Sequence, residues 1–387
     1  MNNIEKLRHG MRVCFLSALH PPFDKRVFDK EAKTLANAGL EVIHLAPGNP
    51  GDITIDGVRI VTYCGPKSLW QRIKQLRRLY LMAASLEADV YHCNEVDSWV
   101  IGVFLRYFKK SICVFDVHEH YPEDFAEMRF TPILQPLVRS SVRIVMHFLS
   151  LFTDRIVLAK PSLERDFPTY PAKHISLVQN FVPLEQLPTL VKKDSAELKG
   201  PIQLIHLGLI NRVRGWPQML EGLVKARNQE IKLLVLGEIS NNEESLFLSE
   251  VKRLRLSNRV KYRTSLPFGD AMKEVINADA GIILFQPGYF NHKYALPHKL
   301  FDYMGCGLPV IAPRFAVEVA NIVFEAQCGL LVDAADPQDF ADAIDALADD
   351  IKESRAMGQR GRLAVENFFN WGAEGRKLVT MYAGLGP

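Results

Sequence analysis

The chain has 387 residues, of which 48% are hydrophobic and 24% charged, and its formal net charge is +3. That length exceeds what one hydrophobic core ordinarily serves, so two domains are expected, and the composition excludes a disordered or fibrous chain. A charge this small gives no argument for nucleic acid as a partner. In chain order, Arg12–Ser17 reads as a first buried strand and Ala18–Phe23 as the loop at its end. Asp24 is placed to cap a helix running to Ala38, with Val27, Phe28, Ala32, Leu35 and Ala36 inward and Gly39 closing it. Glu41–Leu45 is the second strand, and Asp56-Gly57 inside the alternating run Thr54–Ile60 signals a hairpin. Ser68–Leu86 is a helix with Arg72, Lys74, Arg77 and Arg78 and almost no acid before Glu87. Val90–His92, Ile112–Phe115, Arg155–Leu158 and Ile175–Val178 are further strands, and Ile133–Phe152 is a helix carrying Arg139 and Arg143. Such alternation implies a mostly parallel sheet covered on both faces.

From Pro183 to Gly200 the chain is rich in Pro, Lys, Glu and Leu without a clear period, which predicts an interdomain linker over 184–200. Alternation then restarts. Strands are expected at Ile202–Leu207, Lys232–Leu236, Arg259–Tyr262, Gly281–Phe285, Leu308–Ala312 and Leu330–Val332. Helices are expected near Trp216–Arg227, Glu243–Leu254, Ala271–Ala278, Pro337–Ala348, Glu353–Asn367 and from Trp371 onward. The boundaries this sets are 1–183 for a first Rossmann-like domain, joined by a terminal helix at 371–387, and 201–370 for a second.

The segment Asn291–Pro313, NHKYALPHKLFDYMGCGLPVIAP, carries the densest chemistry. Pro297 suits a first helical turn, Leu300, Phe301 and Met304 recur at helical spacing, and Gly305 and Gly307 stop the helix. Its start falls at the carboxyl edge of a parallel sheet, where open α/β sheets bind ligands and helix N-termini favour phosphate. A plain amphipathic crossover helix, with Lys299 and Asp302 paired on its surface, accounts for the same pattern.

The six cysteines lie far apart without a Cys-x-x-Cys pair, which predicts reduced core thiols in a cytoplasmic protein and no metal centre. The beginning of the chain has no apolar signal region, and the apolar run Val142–Ala159 is broken by Arg143, His147, Asp154 and Arg155.

Four runs, HPPFDKRVFDKEAKTLANAGLEV, FDVHEHYPE, PHKLFDYMGCGLPVIAP and CGLLVDAADPQDFADAI, occur in order and span nearly the whole chain. Together they resemble the retaining GT-B glycosyltransferases, specifically glycosyltransferase family 4. The resemblance implies a GT-B fold: two Rossmann-like domains with mostly parallel sheets facing across a cleft. It also implies that the last helix crosses back onto the first domain. The sugar nucleotide would bind the C-terminal domain, and a saccharide or lipid-linked acceptor the N-terminal one. No metal or other cofactor is implied.

Arg212 and Arg214 precede a helix, where guanidinium groups would meet a diphosphate leaving group in bidentate fashion. Arg214-Gly215 resembles a variant of the family's Lys-Gly element. The family's paired glutamates, eight positions apart, fall at Tyr294 and Asp302. Asp302 would hold ribose, while Tyr294 departs from the pattern and leaves Lys293, His292 or a backbone amide to meet the sugar. The donor-side set implied is Gly208, Gly237, Glu238, Tyr294, Leu296, Pro297, His298, Lys299 and Asp302. His118 matches the family's histidine, expected to position sugar and acceptor. Glu119 beside it, His20, Asp24 and Arg26 on the first loop, and Asn94 and Glu95 after another strand are expected on the acceptor side. Asp97 or Ser98 would cap the helix that follows. The basic helices suggest contact with an anionic membrane. Two other readings fit the same residues: a nucleotide-sugar epimerase of this architecture, or an inactive binding protein, which the tyrosine at 294 favours. A dinucleotide oxidoreductase fits worst, since no G-x-G-x-x-G follows either first strand.

Overall fold

The computed structural model describes residues 10–66, 68–188, 201–240 and 242–385. The chain divides into two compact units, Met1–Asn180 with Trp371–Pro387, and Phe181–Asn370. The expected linker opens with a single 3-10 turn, Leu184–Gln186, and its residues 189–200 lie outside the described residues.

In the first unit the described strands are β1 (Arg12–Leu16), β2 (Glu41–Pro47), β3 (Gly51–Ile55), β4 (Val58–Tyr63), β5 (Val90–Cys93), β6 (Ile112–Val117), β7 (Arg155–Leu158) and β8 (Ile175–Leu177). They form one sheet in the order β3-β4-β2-β1-β5-β6-β7-β8. Every pairing is parallel except the β3–β4 hairpin, whose turn places Asp56 and Gly57 at φ 50° and 78°, as a tight primed turn requires. The central strands are apolar along their length because both faces are covered. Val13, Cys14, Phe15 and Leu16 are each fully buried.

The helices are α1 (Lys33–Asn37), α2 (Leu69–Ser85), α3 (Val96–Lys109), α4 (Tyr121–Arg129) and α5 (Gln135–Ser150). Asp24 caps as expected, its carboxylate accepting from the N–H groups of Arg26 and Val27 at 2.8 and 2.9 Å. The element it opens is not a plain α-helix, however. A wide π turn, Val27–Ala32, precedes α1, and buried Arg26, Lys30 and Glu31 cluster at it. Such widened turns often mark functional or strained positions. α3 is capped from Glu95 rather than Asp97 or Ser98. Ser98 Oγ accepts from Glu95 N while the Glu95 side chain returns to the first turn, and Asp97 instead pairs with Arg72 at 2.7 Å. The final helix, numbered α14 in chain order (Trp371–Ala383), packs within this unit: Trp371 Nε1 donates to Thr34 and Glu374 accepts from Gln179 N.

The second unit holds β9 (Gln203–Leu207), β10 (Lys232–Leu236), β11 (Val260–Arg263), β12 (Ala280–Ile282), β13 (Val310–Pro313) and β14 (Gly329–Val332), all parallel, in the order β11-β10-β9-β12-β13-β14. The order reverses between β9 and β12, the topological switch of a doubly wound sheet. Its helices are α6 (Trp216–Lys225), α7 (Glu244–Arg253), α8 (Phe268–Asn277), α9 (Phe290–Lys293), α10 (His298–Gly305), α11 (Val317–Ala326), α12 (Pro337–Asp349) and α13 (Ile351–Asn367). β12 is shorter than the predicted Gly281–Phe285 run, because beyond Ile282 the chain leaves the ladder to reach α9 and α10. Neither the one-turn α9 nor α11 is among the predicted helices. α10 packs closely on the switch: Gly281 lacks the Cβ that would land in the Tyr303 ring, and Tyr303 Oη accepts from Leu207 N at 2.7 Å.

All six cysteines are free thiols, five of them buried and Cys64 exposed. No helix among the described residues is long and apolar enough to cross a membrane.

Candidate functional site

At the carboxyl edge of β9 the chain turns at Gly208 (φ 86°), and after β10 it turns at Gly237 (φ 151°). A Cβ on Gly237 would strike the backbone of Gly208, so the two loops meet main chain to main chain. Glu238 continues the second loop with its side chain exposed, while its carbonyl accepts from Ile210 N. Asn211 then caps a single 3-10 turn, Arg212–Arg214, by accepting from Arg214 N, and Gly215 (φ 88°) redirects the chain into α6.

The two arginines of that turn do not converge. A 3-10 turn advances about 120° per residue, so positions two apart point in different directions. Arg212 is exposed, stacks over Trp216 and has its backbone N–H bonded to Glu243. Arg214 turns the other way, over Phe285, and donates to Leu209 O at 3.4 Å. Without a ligand the two side chains lie apart, Arg212 over Trp216 and Arg214 over Phe285.

What stands beside Arg214 is a residue pair outside the expected catalytic group. Lys299 Nζ from the first turn of α10 lies 3.2 Å from Nε2 of His206 on β9. Lys299 and Asp302 are both buried, so they are not a solvent-facing pair. Burial and then the charge of Arg214 push the Lys299 ammonium down to about 7, with Asp302 opposing. Burial and the nearby Lys299 likewise hold His206 well below its ordinary value, and burial lowers Arg214. His206 was legible only as the end of a strand. A polar ring at a fully buried strand position was the signal that could have singled it out.

The remaining donor-side residues frame this cluster. Pro297 is the extended residue that opens α10, followed by His298, and Leu296 packs into the unit's core. Tyr294 ends α9 with its ring against Phe290, and Lys293 lies over it. His292 is turned inward, stacked on Phe285 and bonded to Gln286 O.

In the first unit the predicted acceptor-side residues are largely interior. Glu95 is buried and accepts from the N–H groups of Ala18, Leu19 and His20, each at 2.9 Å, and from His20 Nδ1 at 2.6 Å. Against burial, the His20 contact and these backbone donors hold its carboxylate down to about 2. Asn94 is fully buried and donates to Ser17 Oγ. Arg26 is buried too: it forks onto both Asp116 oxygens at 2.8 and 3.0 Å, and touches Glu31 at 2.9 Å. Arg26 and Glu95 commit their buried polar atoms to the chain itself, whereas the buried Asn94 Oδ1 is without a hydrogen-bond partner among the described residues. Glu119 is half exposed and pairs with Lys160 at 3.1 Å.

His118 is the predicted residue whose ring stays available. Its Nε2 lies 2.6 Å from Asp116 Oδ2 and 3.2 Å from Arg26 Nε, His20 meets it edge-on at 5.1 Å, and among the described residues Nδ1 has no protein partner. Asp116 was not singled out in the sequence. Despite burial, Arg26 and His118 keep its carboxylate well below the ordinary range, while burial and Asp116 drive Glu31 well above it. A buried group of Glu31, His92 and Asp116 has atoms close enough to suit a metal ion. The Arg26 guanidinium already supplies the positive charge there.

Two family models match the chain: Glycosyltransferase Family 4 over residues 25–186 and Glycosyl transferases group 1 over residues 189–364. A D-inositol 3-phosphate glycosyltransferase of Pseudarthrobacter chlorophenolicus is 29% identical over 184 residues, 46% of this chain and 42% of that protein. The match thus covers less than half of the relative's length. Among solved structures, a sucrose-phosphate synthase from Thermosynechococcus elongatus has a TM-score of 0.73 at 17% identity, over 94% of this chain and 96% of that one. Anabaena HepE in complex with UDP has a TM-score of 0.74 at 14% identity, over 97% and 100%. These likenesses establish the GT-B fold. With one model on each half, the chain belongs to the glycosyltransferases, family 4 in its first unit and group 1 in its second.

Proposed function

We propose that the protein transfers a sugar, with retention, from a nucleoside-diphosphate sugar to an acceptor hydroxyl of a cell-surface polysaccharide or glycolipid. The observation that carries this reading is the basic cluster of half-buried Arg214 with buried Lys299 and His206 at the switch point of the second sheet. Charge builds on the diphosphate as its bond to the sugar breaks, and donors fixed in a water-poor site stabilise that charge most. Arg214 is the guanidinium of the site, and Asp302 on the next turn of α10 accepts from ribose hydroxyls. The loops at Gly208 and Gly237 let the main chain approach the nucleotide. HepE, similar in fold, has been solved with UDP and with UDP-glucose, which supports a uridine nucleotide as the first donor to try. His118, oriented by Asp116, offers Nδ1 to the acceptor hydroxyl or the sugar. The leaving phosphate takes the hydroxyl's proton, so no separate base is required.

A sugar-nucleotide panel read by thermal shift tests the donor half, since a ligand at a hundred times its dissociation constant adds about 2.7 kcal/mol. Turnover with and without acceptor separates transfer from epimerisation, and the anomeric configuration of the product tests retention. Stabilisation by none of the panel sinks the reading.

A membrane surface as the place of work rests on a separate observation. On α5 and just before it, Ile133, Leu137, Ile144, Val145 and Phe148 are 50% or more exposed, as are Trp70 and Ile73 on the basic helix α2. Apolar side chains beside Arg72, Lys74, Arg77 and Arg78 suit an anionic bilayer, where each cation near the surface adds about 1 kcal/mol. Binding to vesicles of phosphatidylglycerol that weakens with salt supports it. Equal behaviour on neutral vesicles, or no binding, removes it.

A further inference from the structure

Three nitrogen bases meet at the carboxyl edge of β9 without an anion among them. Lys299 Nζ and His206 Nε2 are 3.2 Å apart, and Arg214, from the turn that follows β9, acts on both. Lys299 is 7% exposed and His206 1%, and among the described residues His206 Nδ1 has no hydrogen-bond partner. Among the described residues no carboxylate lies within ion-pair range of Lys299 or Arg214. Asp302, three residues along α10, attracts the Lys299 charge only from beyond that range.

An ammonium fixed here faces a guanidinium in a site that water barely reaches. Like charges facing each other in a poorly solvated site repel, and burial adds a desolvation cost. Lysine can shed its proton to escape both terms, whereas arginine cannot. His206 Nε2 also faces Leu209 O at 3.4 Å, an acceptor that favours the ring proton on Nε2, and the Lys299 amine lone pair then accepts from the same N–H.

We propose that diphosphate binding at this site is coupled to protonation of Lys299: the empty protein carries the neutral amine, and a proton from solvent is taken up as the diphosphate enters. The proposal rests on the transfer reading above and adds a regulation of its donor site. The nitrogen gains one proton, the diphosphate oxygens accept its hydrogen bonds, and the proton returns to solvent when the nucleoside diphosphate departs. The empty site thereby avoids a standing excess of charge, and the full site gains an ammonium matched to the anion. The groups that set the balance are His206 on β9, Arg214 on the 3-10 turn and Asp302 on α10 itself. Because Lys299 is pushed down to about 7, donor affinity should be flat below neutrality. It should fall up to tenfold per pH unit above it, until the bound ammonium itself titrates.

The test is titration calorimetry with UDP at pH 8 in two buffers of different ionisation enthalpy. At that pH the terminal phosphate, with a second pKa of about 6, is already ionised and contributes no proton of its own. The parent protein should take up close to one proton per UDP bound. Lys299→Arg, whose charge is permanent, should bind UDP with no uptake. Lys299→Met should lose at least tenfold in affinity, also without uptake, while melting no lower than the parent. UDP binding by the parent with no uptake overturns the inference and leaves the transfer reading standing. Uptake that persists in Lys299→Arg assigns the proton to another group and overturns it as well. Should neither UDP nor any sugar nucleotide bind, the transfer reading fails and this inference falls with it.

Discussion

The two units each bury a group of charges beneath the carboxyl edge of a parallel sheet, and they settle those charges in opposite ways. In the first unit Arg26, Asp116, Glu31, His92 and His118 compensate one another: guanidinium against carboxylate, with burial pushing Glu31 well up and His92 down. In the second unit Arg214, Lys299 and His206 are bases with no carboxylate in ion-pair range of Lys299 or Arg214 among the described residues. A balanced group of this kind holds a shape, whereas an unbalanced one leaves room for a ligand. Buried charge alone is therefore a poor sign of a binding site, and its residual sign is a better one.

The largest effect should come from breaking the balanced group. Asp116→Ala leaves Arg26 buried without its bidentate partner, at an expected cost of about 3–5 kcal/mol, because the lost partner strands a charge. A melting temperature within a degree of the parent would refute the comparison. Lys299→Met, which removes an amine that no carboxylate holds, should melt no lower than the parent and serves as the reference for such melts.

Next in size is Arg214→Ala, expected to slow single-turnover transfer by about 2–4 kcal/mol in barrier, with weaker donor binding. Arg212→Ala is its control and should change both little, since its side chain lies over Trp216. Equal losses in the two variants would return the turn to the arrangement expected from sequence. His118→Ala should reduce turnover on the order of 100-fold with nucleotide affinity unchanged. Unchanged turnover would make the ring a structural part of the balanced group.

Smaller again is the acid limb of stability. The Glu95 carboxylate is held down to about 2, below its ordinary value of about 4.3. Its contribution is therefore present above that ordinary value and lost as pH falls toward 2. Glu95→Gln should cost about 1–3 kcal/mol near neutrality and flatten the stability profile over that window. An unaltered acid limb would remove Glu95 from the loop's support. Last, Asp302→Asn should weaken donor binding by about 1 kcal/mol with the chemical step barely touched, as expected for a group that holds unreactive ribose.

The strand and helix alternation was readable because parallel strands covered on both faces leave continuous apolar runs, as at Val13–Leu16 and Leu233–Leu236. Arg214, Lys299, Asp302 and His118 were named from motif and position. The direction of each side chain was not. Spacing along the chain put Arg212 with Arg214, but the local turn is 3-10 and separates them. Glu95 and Arg26 carried the chemistry of a binding surface, yet their partners are backbone amides and an aspartate far along the chain, which no local pattern encodes. His206 and Asp116 were hidden for the same reason, since each acts through a neighbour contributed by another strand or helix.

Tyr303 and Gly281 bear on how freely this sequence can drift. The ring occupies the space where a side chain at 281 would begin, and its hydroxyl takes the Leu207 N–H at the end of β9. Neither position tolerates a change alone: enlarging 281 expels the ring, and shrinking 303 leaves a hole and a stranded amide. The two must change in step, through an intermediate that is worse than either end. α10 is thereby pinned against β9 and β12, and with it the placement of Lys299 and Asp302 relative to the loop that carries Arg214. A missing methyl group, carrying no charge and touching no substrate, constrains the chemistry of the second unit as firmly as any of its polar residues.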